Sequence, residues 1–392
     1  MSGRNVIFWV SVLLLGYTYL GYPTVMFVWA RFRPRPLRPR PSEPTVTVVI
    51  VAYNEAARIR GRLENLLSLD YPRDRLEILF GSDGSTDGTA GLARAYEEAG
   101  VRVIAFEARR GKGPVLNDLV PKARGEIVVF ADARQRFAPD ALRALAAPFG
   151  DPDVGAVGGE LILDQGPEGT PVGEGVGAYW RYEKFIRRNE GRADSTVSAT
   201  GAIYAIRRDL FEPVPDGTIV DDWLIPVRIA ARGYRVLFEP GALAYDRVAA
   251  TAEEEFTRKV RTIAGQFQLF ARQPWLVNPL RNRLWLQTVS HVGLRLVTPL
   301  LLIAALGANL LLMDGLFYRW TLAAQIVFYG AAAAGYSVRN ARKKIPILSV
   351  PYVLCLLSGA TVVGFFRFVT RRQRVTWAKA SDLPSAARLR RE

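Results

Sequence analysis

Cysteine and histidine are almost missing from this 392-residue chain, which holds one of each, Cys355 and His291. No disulfide can close within it, and no Cys/His zinc site can be assembled. Any bound metal would have to be a hard cation on carboxylate and phosphate oxygens. Cys355 lies inside an apolar run and His291 just before one, where each reads as a packing residue. Charge is missing as well, from four stretches: 5–30, 296–313, 320–338 and 345–366. A bilayer core takes about 20 apolar residues per helix, and all four runs lie near that length. No internal repeat and no low-complexity domain breaks the rest.

Acids are outnumbered by bases, 37 against 52, a net charge of +15. Such an excess suits nucleic acid, anionic lipid or a phosphorylated ligand. Here much of it flanks the apolar runs, at 31–40, 339–344 and 367–374. That placement favours membrane orientation over a nucleic-acid groove. The first run exceeds the 7–15-residue core usual for a signal peptide, and no clear Ala-x-Ala site follows, so it is expected to stay as an anchor. Its basic flank places the C-terminal end of that helix in the cytoplasm, with Arg4 on the far side.

Residues 31–44 alternate Arg and Pro, a stiff extended linker. Beyond it, β-branched runs alternate with amphipathic ones. Strands are expected at 45–51, 76–80, 101–105 and 126–130, and helices at 55–69, 86–99 and 114–122. Later strands are expected near 154–163, 202–206 and 235–238, with a helix over 177–190. The alternation predicts a doubly wound, mainly parallel sheet with ligands at the carboxyl ends of its strands. Residues 252–284 mix charge with Phe256, Ile263, Phe267, Leu269 and Trp275, as interfacial helices do. The resulting organisation is an anchor at 5–30, a linker at 31–44, an α/β domain at 45–250, and amphipathic helices at 251–290. About three C-terminal membrane helices follow at 291–370, then a basic tail at 371–392. Three spans after a cytoplasmic domain would put the tail outside, yet Arg367, Arg371, Arg372 and Arg374 argue for inside. Either one run is re-entrant or the segment 285–295 makes further membrane contact.

Loops rich in carboxylates, glycine and lysine fall at successive strand ends. Val51-Ala-Tyr-Asn-Glu55 follows the first strand and Gly81-Ser-Asp-Gly-Ser-Thr-Asp-Gly-Thr89 the second. Arg109-Arg-Gly-Lys-Gly113 follows the third and Ala131-Asp-Ala-Arg134 the fourth. Carboxylates accept from base N–H or ribose hydroxyls, while lysine and helix N-terminal amides meet phosphate. Each loop alone reads as a turn and a helix cap; their serial placement describes a nucleotide pocket.

From Thr45 to about Gln268 the chain resembles the processive, membrane-bound family-2 glycosyltransferases, the group of cellulose, chitin and hyaluronan synthases. Val-Ala-Tyr-Asn-Glu, Asp-Gly-Ser-Thr-Asp, Gly-Lys-Gly, Phe-Ala-Asp, Thr-Gly-Ala-Ile-Tyr-Ala-Ile-Arg, Asp-Asp-Trp and Gly-Tyr-Arg-Val-Leu-Phe-Glu-Pro occur in that family's order. The resemblance implies a cytoplasmic α/β GT-A (Rossmann-like) domain joined to transmembrane helices in a multi-pass protein of the cell (inner) membrane. It implies an inverting transferase that moves sugar from a UDP-sugar donor to a growing polysaccharide or oligosaccharide. The alternative acceptor is a polyprenyl-phosphate or other lipid, and a non-catalytic nucleotide sensor is a third reading. Ala52, Tyr53, Glu55 and Asp83 would line the nucleoside pocket, Asp83 accepting from uracil. Lys112 would face the diphosphate, and Asp132 would hold ribose or a divalent cation (Mg or Mn). Asp222 matches the catalytic base, beside Asp221, unless it caps the helix 223–231. Thr200, Gly201 and Ala202 fall where the acceptor rests. The chain departs from the pattern twice. The second metal-binding acid is Arg134, expected either to reach the diphosphate and reduce dependence on metal, or to pair with a nearby carboxylate. The family's Gln-x-x-Arg-Trp corresponds to Arg258-Lys-Val-Arg261-Thr262, which keeps Arg261 for phosphate and replaces the stacking Trp by Thr262. The expected partners are therefore a UDP-sugar, a glycan or lipid-linked acceptor and the bilayer, with no nucleic acid.

Overall fold

The computed structural model describes residues 2–38, 43–164, 171–247, 252–338 and 346–375. Parts of the Arg/Pro linker (39–42), the basic run 339–344 and the tail beyond 375 lie outside the described residues. Eight strands form one sheet: β1 Val46–Ala52, β2 Leu76–Asp83, β3 Val101–Phe106, β4 Ile127–Asp132, β5 Arg136–Phe137, β6 Val154–Asp164, β7 Ile203–Arg207 and β8 Arg235–Arg247. Their order is β3-β2-β1-β4-β7-β6-β8-β5. β1 runs parallel to β2 and β4, and β2 to β3. The other half is mixed, with β7 antiparallel to β4 and β6, β6 parallel to β8, and β5 antiparallel to β8. The chain winds outward from β1 to β3 and then returns to β4 on β1's other side, so the crevice between β1 and β4 is a topological switch point.

The apolar runs read as strands are buried on both faces. Val48 and Ile50 of β1 meet Ile59, Leu63 and Leu66 of the helix Ala56–Leu67. Val49 and Phe130 face the helices Lys112–Leu119 and Asp221–Ala231 on the other side. Complete burial of one such leucine or isoleucine is worth roughly 1.5–3 kcal/mol. The helix expected over 86–99 is shorter, Thr89–Arg94. Its would-be first turn is committed elsewhere, because Thr86 and Asp87 bind the backbone or side chains of residues 54 and 56. β5 and the helix Ala141–Ala146 are too short to show a period, and sequence patterning missed both.

Among the described residues, three helices are long and apolar enough to cross a membrane: Gly3–Phe32, Trp285–Leu310 and Ile347–Val369. The run 320–338 does form a helix, Leu316–Ser337, but Trp320, Gln325, Tyr329 and Tyr336 dilute its apolar character. Its first turns meet the start of the N-terminal helix, where Tyr318 packs on Phe8 and Phe317 on Trp9. Its end meets the last helix at Tyr352. That last helix lies along the α/β domain: Tyr352 sits with Leu163, Tyr179 and Trp180, and Phe365 and Phe368 pack on Phe267.

His291 stands inside the helix Trp285–Leu310 rather than before a span. Its two ring nitrogens lie 2.8 and 2.9 Å from Glu190 and Glu183 of the helix Pro171–Ala193. Arg295 pairs with Glu183, and the Tyr22 hydroxyl of the first helix donates to Glu190. Both glutamates thus find cationic or hydroxyl partners, as buried charges must. This cluster fastens two apolar helices to the domain. The lone histidine therefore packs helices through polar contacts.

Candidate active site

Three loops converge at the ends of β1, β2 and β3, and they hold one another. Asn54, in the left-handed region at φ 52°, accepts from the Thr86 amide at 2.8 Å. The amides of Asn54, Glu55 and Ala56 donate to Ser85 Oγ, Thr89 Oγ1 and Asp87 Oδ2. Asp83, at the end of β2, accepts from the amides of Arg110 and Gly111 at 2.7 and 2.8 Å. Gly84 follows at φ +65°, and a Cβ there would come within 2.4 Å of the Arg109 nitrogen. Only glycine permits that approach. The loop is drawn in so far that the Arg109 guanidinium lies 3.7 Å from the centroid of the Tyr53 ring. Ala52 is buried at the strand end, and Glu55 pairs with Arg58 at 2.7 Å. Asp83 is only 3% exposed, and both of its oxygens already serve the backbone. It thereby holds the 109–111 loop against the end of β2.

A cluster of acids around one lysine lies on the β4 side of the switch point. Lys112 opens its helix immediately after Gly111 and reaches Asp132 at 3.2 Å and Asp221 at 3.4 Å. Burial pulls the lysine pKa down, but Asp132, Asp221 and Asp222 together hold it above its ordinary value. Asp222 does not cap its own helix. Its Oδ2 accepts from the Gly201 amide at 3.0 Å, which joins it to the 200–202 turn where the acceptor was expected. A side chain on Gly201 would meet that same oxygen at 3.1 Å. Burial first, and Asp221 next, push Asp222 up to about 6, while Lys112 and the Gly201 amide pull the other way. A carboxylate tuned toward neutrality can accept a proton at physiological pH and pass it on.

Arg261 belongs to the helix Ala252–Arg272, which brings it to the cluster from above. Burial lowers its pKa, with Asp221, Asp222 and Asp132 acting against that. Its Nη2 donates to the carbonyl of Val375 at 3.2 Å. The chain beyond the last helix therefore returns to the α/β domain. Arg134 does not join the cluster. It turns away and binds the buried Asp246 of β8, with Nη2 at 2.9 Å and Nε at 3.1 Å. Of the two alternatives for this residue, pairing with a nearby carboxylate is the arrangement found. Asp246 is buried and also accepts from Gln135 at 2.9 Å, whereas Arg134 is exposed at the rim of the pair.

Among the described residues, no group of three or more His, Cys, Asp or Glu side chains is disposed to hold a metal. Asp132 is the one acid left at the metal position, and it is partly exposed beside an ammonium. That donor set fits a hard cation bound jointly with diphosphate oxygens, the usual Mg2+ arrangement of one or two carboxylates with substrate phosphate.

Four contributors escaped the sequence reading. Arg109 and Asp246 work through partners far along the chain. Tyr204, on β7, stacks on Phe130 at 4.6 Å and carries its hydroxyl beneath the acids. Arg62 is a buried guanidinium over the Phe137 ring, 4.2 Å from its centroid; burial lowers it to about 9. Tyr204 and Arg109 carried a hint, lying inside the Thr-Gly-Ala-Ile-Tyr-Ala-Ile-Arg motif and the Arg109-Arg-Gly-Lys-Gly113 loop.

A doubly wound sheet with a β1/β4 switch point, a three-loop cradle and an acid–lysine cluster at its strand ends is the GT-A type of fold. Residues 47–214, less than half of the chain, match glycosyl transferase family 2. It is 34% identical over 158 residues to the beta-monoglucosyldiacylglycerol synthase of Nostoc sp., covering 39% of this chain and 34% of that one. It is 24% identical over 236 residues to the poly-beta-1,6-N-acetyl-D-glucosamine synthase of Staphylococcus epidermidis, covering 59% and 56%. The chain thus spans between a third and just over half the length of these curated relatives. A mannosyltransferase from Pyrobaculum calidifontis, solved in complex with GDP-Man and Mn2+, has the same fold. The TM-score is 0.71 at 24% identity, over 93% of this chain and 99% of that one.

Proposed function

We propose that this protein transfers a sugar, with inversion, from a nucleoside-diphosphate sugar to an acceptor hydroxyl at the membrane surface. The observation that carries this reading is the Lys112–Asp132–Asp221–Asp222 cluster at the switch point, with Asp222 held near neutrality. Asp222 accepts the acceptor's proton as its oxygen attacks the anomeric carbon, a role worth about 10²–10⁴-fold. The Gly201 amide fixes the base on the turn 200–202, against which the acceptor rests. Lys112 has three N–H donors and gives one to Asp132, leaving donors for the departing diphosphate. Arg261 supplies a second cation there. A divalent cation, when bound, would lie on Asp132 and the diphosphate and offset the charge growing on the leaving group.

The donor is a UDP-sugar in this reading. The three loops around residues 53, 83 and 109 form the base pocket, with the Tyr53–Arg109 stack as one wall. The Pyrobaculum structure holds GDP-Man, so guanine is the competing base. The acceptor is a growing glycan. A second reading, transfer to a lipid, is favoured by Thr262, which cannot offer the stacking surface of an aromatic residue, and by the Nostoc relative's name. We place the domain on the cytoplasmic face of the cell membrane. Arg31 and Arg33 at the end of the first helix argue for that side. The packing of the last helix on Phe267, Tyr179 and Trp180 supports an Arg-rich end on the same side as the domain.

The test is a screen of UDP- and GDP-sugars on detergent-purified protein, reading nucleoside diphosphate release and product size together. A polymer supports the glycan acceptor and a single glycolipid the lipid one. No release from any donor, with membrane extract supplied as acceptor, refutes the proposal.

A further inference from the structure

Tyr204 is a buried polar side chain beside the cluster to which no role has been assigned. It is 0% exposed, and its hydroxyl meets no hydrogen-bond partner within the protein. A buried hydroxyl left without a partner costs about 1–3 kcal/mol, so its presence under the site calls for an explanation. Register supplies the location. Tyr204 pairs with Phe130 across β7 and β4, and Asp132 lies two residues further along β4 on the same face. The ring is fixed by its stacking on Phe130, at 4.6 Å and an interplanar angle of 20°. Only the hydroxyl proton can turn. It rotates to suit the local field, and that field comes from Asp221, Asp222 and Asp132, whose charges push the phenol further up after burial has raised it. Asp221 Oδ2 is likewise buried and accepts no hydrogen bond, its nearest cation being Lys112 at 3.4 Å.

We infer that Tyr204 is a positioning residue for the proton-accepting step, its O–H dipole pointing donor-end toward the Asp221–Asp222 pair and stabilising the pair's negative charge. This rests on the reading of Asp222 as the base. Every charged group facing Asp222 then has an effect of known sign. Asp221 on its own helix and Asp132 on β4 raise it, Lys112 lowers it, and Arg261 on the overlying helix is a further cation. Tyr204 joins Lys112 as a group that keeps the base ionised without touching the substrate. Fixed dipoles oriented before the reaction starts require no reorganisation when charge moves.

The experiment is Tyr204→Phe, which keeps the ring and its stacking and deletes only the oxygen. With a donor active on the wild type, the rate of nucleoside diphosphate release is followed from pH 5 to 9. The acid limb should move up by about half a pH unit, so that the rate at pH 5 falls roughly threefold while the rate at pH 8.5 and the donor KM are unchanged within error. A limb that does not move overturns the inference. A second measurement needs no substrate: thermal unfolding of both proteins in detergent at pH 5 and pH 8. Asp222 already makes folding less favourable as pH rises through its folded-state value, because the folded state holds the proton more tightly. Without the hydroxyl that loss should be larger, and Tyr204→Phe should drop further in Tm between the two pH values than the wild type. Equal drops overturn the inference. Wild-type protein inert toward every donor defeats the functional reading, and the melting comparison then decides this one. A Tyr204→Phe protein that does not fold assigns the hydroxyl to folding and also overturns it.

Discussion

Replacing Asp222 by Asn should abolish transfer and stabilise the protein at the same time. The structure raises this carboxyl from an ordinary 3.8 to about 6, chiefly by burial and then by Asp221. Below pH 3.8 the group is protonated whether the chain is folded or not, and its charge costs nothing. Between 3.8 and 6 the unfolded chain gives up the proton first, so stability falls. Above 6 the loss is complete, and about two pH units at about 1.4 kcal/mol each make it about 3 kcal/mol. Asparagine removes the charge but can still accept from the Gly201 amide. Asp222→Asn should therefore raise Tm at pH 8 and leave it nearly unchanged at pH 4. Over the same range wild-type turnover should fall about tenfold from pH 7 to pH 5, as the base fills with protons. The variant should retain nucleotide binding within a few-fold while losing at least about 10² in rate. Differential scanning fluorimetry in detergent, isothermal titration with UDP and GDP, and a pH–rate profile read the three effects. More than a tenth of wild-type turnover in Asp222→Asn, or an equal stabilisation at both pH values, would refute the reasoning.

Lys112→Met should weaken UDP or GDP binding at least about tenfold, and should move any residual activity's acid limb upward, since Lys112 is the cation that lowers Asp222. Gly84→Ala should cost about 2–4 kcal/mol by denaturant unfolding, a new Cβ 2.4 Å from the Arg109 nitrogen being added to a left-handed φ. Gly88→Ala, with φ +86° and open space around it, should cost only about 1 kcal/mol. Arg134→Ala should leave nucleotide affinity unchanged, with or without EDTA, because its guanidinium serves Asp246; loss of binding in EDTA would return Arg134 to the diphosphate. The protein should stay in the pellet when membranes are washed with alkaline carbonate, as apolar helices of bilayer length demand.

Local pattern was enough for the elements whose two faces are both apolar. β1 to β4 and the helices between them are legible because their residues repeat every two or every 3.6 positions, and that period belongs to the backbone itself. The loops at their ends could be assigned to a ligand edge because winding a parallel sheet leaves no other place for them. Partnerships across long separations in the chain left no trace in the pattern. Arg134 and Asp246 stand 112 positions apart, and nothing near either residue states that β8 will bring them together. The same holds for Asp83. Its motif suggests a base-reading acid, and only the approach of the next loop, permitted by Gly84, turns both oxygens to backbone amides. The apolar run 345–366 is uniform in composition, so its length alone suggests a span. The helix found there, Ile347–Val369, is long and apolar enough for one, but its packing against Phe267, Tyr179 and Trp180 could not be read from the run itself. Composition and period act over a few residues, and these the chain determines alone. Charge pairing and burial act through space at a few ångströms, and they took effect only once the sheet had closed the distances between remote residues.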